Sequence, residues 1–299
     1  MNSCNLGTFS RTNAIALLLL CFTFSSTAQL KALLPDSLTI ERLTKPETLN
    51  DAGILLREIS PGTPAVIDGT LVAQFNDSAV ANFIKLPFTV SDLKFEKRSP
   101  TLFYSSGNKV GYFDIDSDEA RPLIEAPDSV SHIAPFVNGI FFSCANKVYL
   151  SDFDNDTVKC VIETVDPVTD LHTEDGDIYA ASGEYIFGVT YEGQLIPVAR
   201  VKGKVESFSI GDSGNVYAIS NNRLLMISPG NKIMPLLNEA PRQILWVDGK
   251  LYVALNDGSM LRIRKKTPTE ISLEKANAAN KQSVSPKGRG VRRGGARRR

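Results

Sequence analysis

Two aspartates and a histidine recur at nearly the same interval along the chain. Asp92, His132 and Asp170 are separated by 40 and 38 residues. Imidazole titrates near neutral pH and a neighbouring carboxylate raises its pKa, so this trio is suited to general acid and base catalysis or to holding a divalent metal ion. Ser207 and Gln243 continue the spacing with uncharged polar side chains. These five residues are the candidate ligand-binding set, and the first three are the candidate catalytic residues.

Each of these polar residues comes immediately before a hydrophobic residue that recurs along the chain. The interval is 36 to 40 residues, and the recurring residues, here called anchors, are Leu55, Leu93, Ile133, Leu171, Phe208 and Ile244. A further hydrophobic register keeps step with the anchors through Val72, Val110, Val148, Ile186 and Leu224. Such self-similarity predicts an array of one repeated supersecondary unit.

Each unit has the pattern of four short strands. In the third unit, Asn138-Gly139, Ala145-Asn146 and Asp154-Asn155-Asp156 interrupt stretches rich in β-branched and aromatic residues. Asn, Asp and Gly tolerate the positive φ angles that tight hairpins require. Nothing between residues 54 and 274 sustains a helical period. Because such units bury both faces by stacking around an axis, the sequence predicts an all-β fold, a six-bladed β-propeller of four-stranded blades.

The repeat also sets the expected domain limits. Residues 1–28 are predicted to be a signal peptide, 29–53 an N-terminal segment, 54–274 the propeller and 275–299 a disordered basic tail. The segment from Leu38 to Leu43 is a candidate strand for closing the ring, although the sixth unit has the pattern of four strands of its own. Whether this segment clasps the last blade, adds a fifth strand or forms a short helix stays open at this stage.

Through this rhythm of anchors and turns, residues 54–274 resemble the six-bladed propeller superfamily that includes NHL-repeat proteins and the sugar-lactonase and gluconolactonase group. The resemblance implies a ligand site at the propeller axis. Lactonase-type propellers hold one ion there with acidic and amide ligands. Asp92 and Asp170 are suitably placed for that role, whereas the Asn and Glu partners have no matching positions here.

Two main functions follow from these residues. A polar channel mouth is ordinary for a propeller, and the tight hairpins at Gly107-Asn108 and Ala145-Asn146 leave little material for an enclosed pocket. They favour a non-enzymatic binding or scaffolding module whose partner is a protein or a glycan at the cell envelope. The alternative is a calcium-dependent, lactonase-like hydrolase or lyase that works at Asp92, His132 and Asp170. A third interpretation is a sensor for a small ligand in the axial channel.

Two aspartate triplets resemble the start of a calcium-binding loop. Their members are Asp114, Asp116, Asp118, Asp152, Asp154 and Asp156. The sixth position of such a loop is Gly, but it is Glu119 in one triplet and Thr157 in the other. Asp is also a common turn residue, so plain hairpins are the competing interpretation. Calcium is the one cofactor that the sequence leaves open.

The N-terminus predicts export. The apolar stretch 13–24 lies behind Arg11, and Ser26-Thr27-Ala28 supplies the small residues for cleavage after residue 28. Leu20 is bulky where a lipoprotein signal has a small residue before its cysteine, here Cys21. We therefore expect a secreted or periplasmic protein without a lipid anchor, and no later segment is apolar enough to span a membrane.

Two cysteines, Cys144 and Cys160, lie beyond the predicted leader. The repeat places Cys144 at the end of a second strand and Cys160 early in a fourth strand, with a third strand between them. This separation exceeds the Cα distance of about 7 Å that a disulfide can bridge. Both cysteines are predicted to be unpaired, small, buried residues.

Charge is divided unevenly along the chain. Eight of the 33 Lys and Arg residues lie in 281–299 and one in the leader, which leaves 24 in the body against all 33 Asp and Glu residues, a net charge of −9. The tail contains almost no apolar side chains and is expected to stay unfolded. It is either a solvated extension or a contact for anionic surfaces such as lipopolysaccharide or anionic lipid; nucleic acid is not expected as a partner of an exported protein.

Removing residues 281–299 tests the role of the tail. Because the tail buries little apolar surface, the unfolding midpoint is expected to stay within about 2 °C of the full-length value in a thermal scan. Any binding to anionic vesicles is expected to weaken as salt rises and to be lost with the tail. Undiminished vesicle binding after the deletion would contradict the anionic-surface role.

Overall fold

The computed structural model describes residues 35–43, 55–76, 79–97, 101–115, 117, 119–155 and 157–283. The described residues form six four-stranded sheets of antiparallel strands, arranged as blades around one axis. The predicted six-bladed β-propeller of four-stranded blades is confirmed. By their internal contacts, the residues divide into one unit up to Arg264 and a second from Lys265.

The strands are numbered in chain order, and β1 is Leu38–Leu43. Blade 1 contains β2 to β5, at Leu55–Ser60, Thr63–Asp68, Leu71–Asn76 and Ala79–Lys85. Blade 2 contains β6 to β9, at Asp92–Glu96, Thr101–Ser106, Lys109–Asp114 and Glu119–Glu125. Blade 3 contains β10 to β13, at His132–Phe136, Gly139–Cys144, Lys147–Asp152 and Thr157–Glu163.

The second half of the ring repeats this order. Blade 4 contains β14 to β17, at Val168–Glu174, Asp177–Ser182, Tyr185–Val189 and Leu195–Arg200. Blade 5 contains β18 to β21, at Val205–Ile210, Val216–Ser220, Arg223–Ile227 and Ile233–Leu237, with a short 3-10 helix at Asp212–Gly214. Blade 6 contains β22 to β24, at Pro241–Val247, Lys250–Leu255 and Met260–Lys265.

The anchors lie on the innermost strands and are buried in the packing between blades. Leu93, Ile133 and Leu171 are fully buried. In blade 1 the equivalent residue is Leu56, which is fully buried and pairs with Val66, whereas Leu55 is only partly buried. The predicted anchor at Leu55 is therefore wrong by one residue. Two adjacent leucines satisfy the repeat equally well, and only strand pairing decides which of them faces the core.

Tight turns hold the strands of each blade in register. Asp175 and Gly176 have φ angles of 53° and 91°, and Asp248 and Gly249 have 48° and 72°. Two successive residues with positive φ form the turn whose twist matches that of a hairpin, which is why Asp-Gly occupies both sites. The Asp-Gly pairs therefore fix where the innermost strands of blades 4 and 6 end.

The N-terminal segment closes the ring. β1 pairs with β24, and the sheet order β1-β24-β23-β22 makes β1 the outermost strand of blade 6. The sequence pattern suggested four strands in the sixth unit, but the unit contributes three, and the last of them ends at Lys265. Glu41 of β1 accepts hydrogen bonds from Arg262 Nε and Arg264 Nε, each at 2.7 Å, so the closure is also ionic.

A helix follows the propeller strands in the second unit. α1 covers Pro268–Ser283, so residues 275–283 are helical where the sequence predicted disorder. Its first turn is capped reciprocally, since Thr267 N donates to Glu270 Oε2 at 2.7 Å and Glu270 N donates to Thr267 Oγ1 at 3.3 Å. The predicted signal peptide and residues 284–299 lie outside the described residues. Within the described part, no helix is long and apolar enough to cross a membrane.

The two cysteines of blade 3 are free in the structure. Cys144 is buried, as predicted, but Cys160 is exposed, and the prediction of burial is wrong for this residue. Cys160 lies on β13, the outermost strand of its blade, and most residues of this strand are exposed. The repeat located the strand correctly but did not reveal which of its side chains points outward.

Replacing Glu41 with Gln tests the closure. The free energy of unfolding is expected to fall by about 2 kcal/mol at pH 7, because hydrogen bonds to a charged group are weakened. The two arginines hold the pKa of the Glu41 carboxyl below its usual range, although burial alone would raise it. The contribution is therefore present above the unfolded-state pKa, and the difference between the two proteins is expected to shrink as the pH falls through the folded-state pKa.

The matched control is Glu119→Gln. Glu119 also pairs with an arginine, but its side chain is 58% exposed, compared with 28% for Glu41. Exposed pairs contribute about 0 to 1 kcal/mol. Urea unfolding that gives equal losses for both variants would contradict a closing role for Glu41.

Candidate functional site

The residues before the anchors lie where the innermost strands begin, here called the entry end of the axis. Three of them bond to the backbone of the next blade. Asp92 Oδ2 accepts from Ile133 N at 3.1 Å, and Asp170 Oδ2 accepts from Phe208 N at 3.2 Å. Gln243 Oε1 accepts from Leu56 N at 2.6 Å, which joins the last blade to the first. These side chains therefore fasten neighbouring blades together.

Asp92 forms a buried ion pair with an arginine of blade 1. Arg57 Nε donates to Asp92 Oδ1 at 2.6 Å, and the two residues are 3% and 0% exposed. Asp92 Oδ1 also accepts from Leu93 N at 2.9 Å. Burial tends to raise the pKa of the Asp92 carboxyl, but the positive charges of Arg57 and Lys94 outweigh it and the pKa is lowered. Asp92 is therefore a charged group whose oxygens are already engaged.

Asp170 is engaged in the same way on the opposite side of blade 3. Its Oδ1 accepts from Leu171 N at 2.9 Å, and its Oδ2 accepts from Ser207 Oγ at 3.1 Å. Burial is again outweighed by Lys94 and Arg57, so the pKa of the Asp170 carboxyl is lowered. Because folding lowers both aspartate pKa values, the pair stabilises the fold above the unfolded-state pKa near about 4, and this is lost as the pH falls through the folded-state values.

His132 lies between the two aspartates, as the spacing predicted. Its Nδ1 is 4.0 Å from Asp170 Oδ1, and the side chain is 20% exposed. Burial lowers the pKa of the imidazole despite the two nearby carboxylates. His132 is therefore neutral near pH 7, and its Nδ1 makes no hydrogen bond within the described residues. The structure brings the predicted trio together, but it leaves the histidine without a free carboxylate to orient or activate it.

A cavity of about 170 Å³ lies further along the axis, toward the end where the innermost strands finish. We call this the axial cavity. Its charged lining includes Arg57, Glu58, Lys94, Lys97, His172 and Glu174, and its apolar lining includes Phe95, Pro135 and Leu245. The entry-end residues were expected to form the ligand site, whereas the enclosed space lies beyond them. None of the five predicted ring residues lines it.

The charges of the axial cavity are separated along its length. Lys94 lies near Arg57 and both aspartates, and burial lowers the pKa of its ammonium group. Where the innermost strands finish, Lys97 Nζ is 3.6 Å from both Glu58 Oε2 and Glu174 Oε1. Burial raises the pKa of the Glu58 carboxyl, and the nearby Glu174 charge contributes to the same shift. A cationic floor thus faces a rim in which carboxylates outnumber ammonium groups.

Sequence reasoning missed most of the residues that line this cavity. Lys94 and His172 each come immediately after an anchor, and Arg57 comes immediately after Leu56, which takes the anchor position in blade 1. His172 contacts Phe208 of blade 5, with ring centres 6.1 Å apart, and it also lines the cavity. The sequence signal for these lining residues is a charged residue directly after a buried anchor. A charged side chain is rare inside a strand unless it borders water or an oppositely charged partner.

The carboxylate oxygens at the axis already accept hydrogen bonds. Calcium takes six to eight oxygen ligands, whereas the oxygens of Asp92 and Asp170 accept hydrogen bonds from Arg57 and from backbone groups. Lys94 adds a second cation near both carboxylates. Within the described residues, no group of three or more His, Cys, Asp or Glu side chains is placed to hold a metal ion.

The described members of the aspartate triplets lie at or just after strand ends. Asp114 ends β8, and Asp152 ends β12. Asp152 Oδ1 accepts from Asp154 N at 2.9 Å, and its Oδ2 accepts from Asn155 Nδ2 at 2.6 Å, which are bonds within the turn. Asp116, Asp118 and Asp156 lie outside the described residues.

Replacing Asp92 with Asn tests its structural role. The change leaves Arg57 buried without its carboxylate, and breaking a buried pair costs about 3 to 5 kcal/mol in free energy of unfolding. Urea denaturation measures this loss. Asp128→Asn is the control, because Asp128 is exposed at the surface and is expected to change stability by less than about 0.5 kcal/mol. If Asp92→Asn also lowered the free energy of unfolding by less than about 0.5 kcal/mol, the ion pair would not be what holds the blades together.

Neither a family model nor a curated protein matches this chain. Solved structures do. A protein assigned as a gluconolactonase is 12% identical with a TM-score of 0.59, over 78% of this chain and 94% of that one. An inactive variant of virginiamycin B lyase from Staphylococcus aureus, with quinupristin, is 11% identical with a TM-score of 0.56, over 77% of this chain and 100% of that one. A chain from a nidogen/laminin complex is 12% identical with a TM-score of 0.53, over 67% and 84%. At these identities the likeness is one of fold, and this chain has the six-bladed β-propeller fold of the lactonase-like and lyase propellers.

Proposed function

We propose that this protein is an exported binding or scaffolding module that recognises its partner without catalysing a reaction. One observation carries the proposal: both aspartates of the candidate catalytic trio are buried and bonded to the neighbouring blades. A general base needs an acceptor within hydrogen-bonding reach of the substrate proton. Asp92 and Asp170 cannot offer one without releasing the blades that they join.

The remaining member of the trio supports the same conclusion. His132 is neutral, and its nearest carboxylate oxygen, on Asp170, is 4.0 Å away. Catalytic histidines are oriented by a direct hydrogen bond to a third group. The fold does not decide the matter, since propellers of one architecture serve both as enzymes and as binding proteins. The engaged carboxylates, and not the fold, favour binding.

The site of action and the partner class rest on the sequence. The leader at residues 1–28 supports export, and the partner that we propose is a protein or a glycan of the cell envelope. The acidic body and the basic tail allow the two parts of the chain to contact surfaces of opposite charge. The alternative function, a calcium-dependent lactonase-like hydrolase or lyase, requires the same three ring residues to do chemistry.

One experiment separates the two functions. Protein from residue 29 onward is assayed with a panel of γ- and δ-lactones, with calcium and with a chelator, beside its His132→Gln variant. We expect hydrolysis at the buffer rate for both proteins and no calcium-dependent change in the unfolding midpoint. In parallel, labelled protein is applied to an array of envelope glycans and peptides, and we expect it to bind a specific subset of them. Turnover that His132→Gln abolishes while the melting curve is preserved would overturn the proposal.

A further inference from the structure

We propose that the axial cavity binds a small zwitterion with one carboxylate and one ammonium group, of the amino-acid kind. The inference rests on the proposed binding function and names the ligand class that the cavity fits. The carboxylate is held by Lys94 at the floor, and the ammonium group is held by Glu174 and Glu58 at the rim. Four features of the cavity lead to this assignment: its floor, its rim, its walls and its size.

The floor presents a cation without an acceptor. An ammonium group carries three N–H donors, yet the interactions of Lys94 among the described residues are with the charges of Arg57, Asp92 and Asp170 and include no hydrogen bond. The two carboxylates that lie near it electrostatically are Asp92 and Asp170. Their oxygens already accept hydrogen bonds from Arg57 and Leu93 on one side and from Leu171, Ser207 and Phe208 on the other. A carboxylate entering the cavity would supply the missing acceptor.

The rim presents carboxylates in excess. Lys97 lies 3.6 Å from both Glu58 and Glu174, so one ammonium group is shared by two acids. Glu58 Oε1 accepts a hydrogen bond from Gly62 N at 2.8 Å, and Glu174 Oε2 is 3.5 Å from His172 Nε2. The His172 side chain is neutral, since burial lowers the pKa of its imidazole. A second cation at the rim would offset the remaining negative charge.

The walls and the size restrict the ligand. Phe95, Pro135 and Leu245 lie between the charged ends and suit a short aliphatic segment. The volume of about 170 Å³ is well below the 300 Å³ or so at which sites for drug-sized ligands begin. A net anion would meet the acidic rim, and a net cation would meet Lys94 and Arg57. A molecule that carries both charges, separated by a few carbons, satisfies both ends.

The test uses protein from residue 29 onward and calorimetric titration. The probes are the twenty standard amino acids and the ω-amino acids of three to five carbons, each compared with its N-acetyl and its amide derivative. We expect at least one zwitterion to bind and both derivatives to bind at least tenfold more weakly, because each lacks one charge. Lys94→Met is expected to reduce the affinity at least tenfold, and Glu174→Gln to reduce it less strongly. Glu125→Gln, at an exposed position outside the cavity lining, is expected to leave it unchanged.

The outcomes distinguish this inference from the function on which it rests. If Lys94→Met does not fold, the Glu174→Gln variant still tests the site, and unchanged affinity in that folded variant would contradict the inference. Binding that survives Lys94→Met in a folded protein, or a complete absence of binding across the panel, would overturn the zwitterion site. If a neutral glycan or peptide binds while every zwitterion fails, the binding function stands and the inference does not. If a bound zwitterion is converted to product, the site stands and the non-catalytic function does not.

Discussion

The ion pair between Arg57 and Asp92 joins the first two blades at the axis, and the closure of the ring depends on the groups around it. Arg57 Nη1 also donates to Leu56 O at 2.9 Å, beside the Gln243 side chain that bonds to Leu56 N. Blades 6, 1 and 2 are therefore linked through one small cluster, although Gln243 and Leu56 are 187 residues apart in sequence. At the rim, β1 completes blade 6 and Glu41 pairs with two arginines of β24.

This use of carboxylates determines what the axis is able to do. A buried ion pair gains little net stability over an apolar contact, but the loss of one partner is costly because the other stays buried and unpaired. Asp92 and Asp170 are thus tied to their partners. What remains free for a ligand lies further along the axis, where Lys94 faces a short cavity and an acidic rim. The function that we propose for this arrangement is therefore recognition by charge and size, and not acid–base chemistry.

The parts of the fold that could be predicted are those set by local pattern. The period of the anchors gave the number of blades, and Asp-Gly pairs such as Asp175-Gly176 marked the hairpins, because positive φ is a local requirement. Errors arose where neighbours in sequence were equally suitable. Leu55 and Leu56 both fit the repeat, and only the folded blade shows that Leu56 is the one that is fully buried. Thr267 and Glu270 are the sequence signal for the start of the helix after the last blade. The strand pattern before them led instead to the prediction that the propeller continues to residue 274.

From the chain alone, one could know that polar residues recur before five of the six anchors. The repeat also indicates that Asp92, His132 and Asp170 share one end of the axis, since it fixes equivalent positions. What those groups do depended on contacts between blades. The partners of Asp92 are Arg57, 35 residues earlier, and Ile133, 41 residues later, and no local pattern specifies such pairings. Arg57, Lys94 and Glu174 likewise became one cavity only when the strands that carry them were placed around a common axis. The spacing of hydrophobic residues is a local property that can be read from the sequence, whereas the pairing of charged side chains arises only when the blades close into a ring.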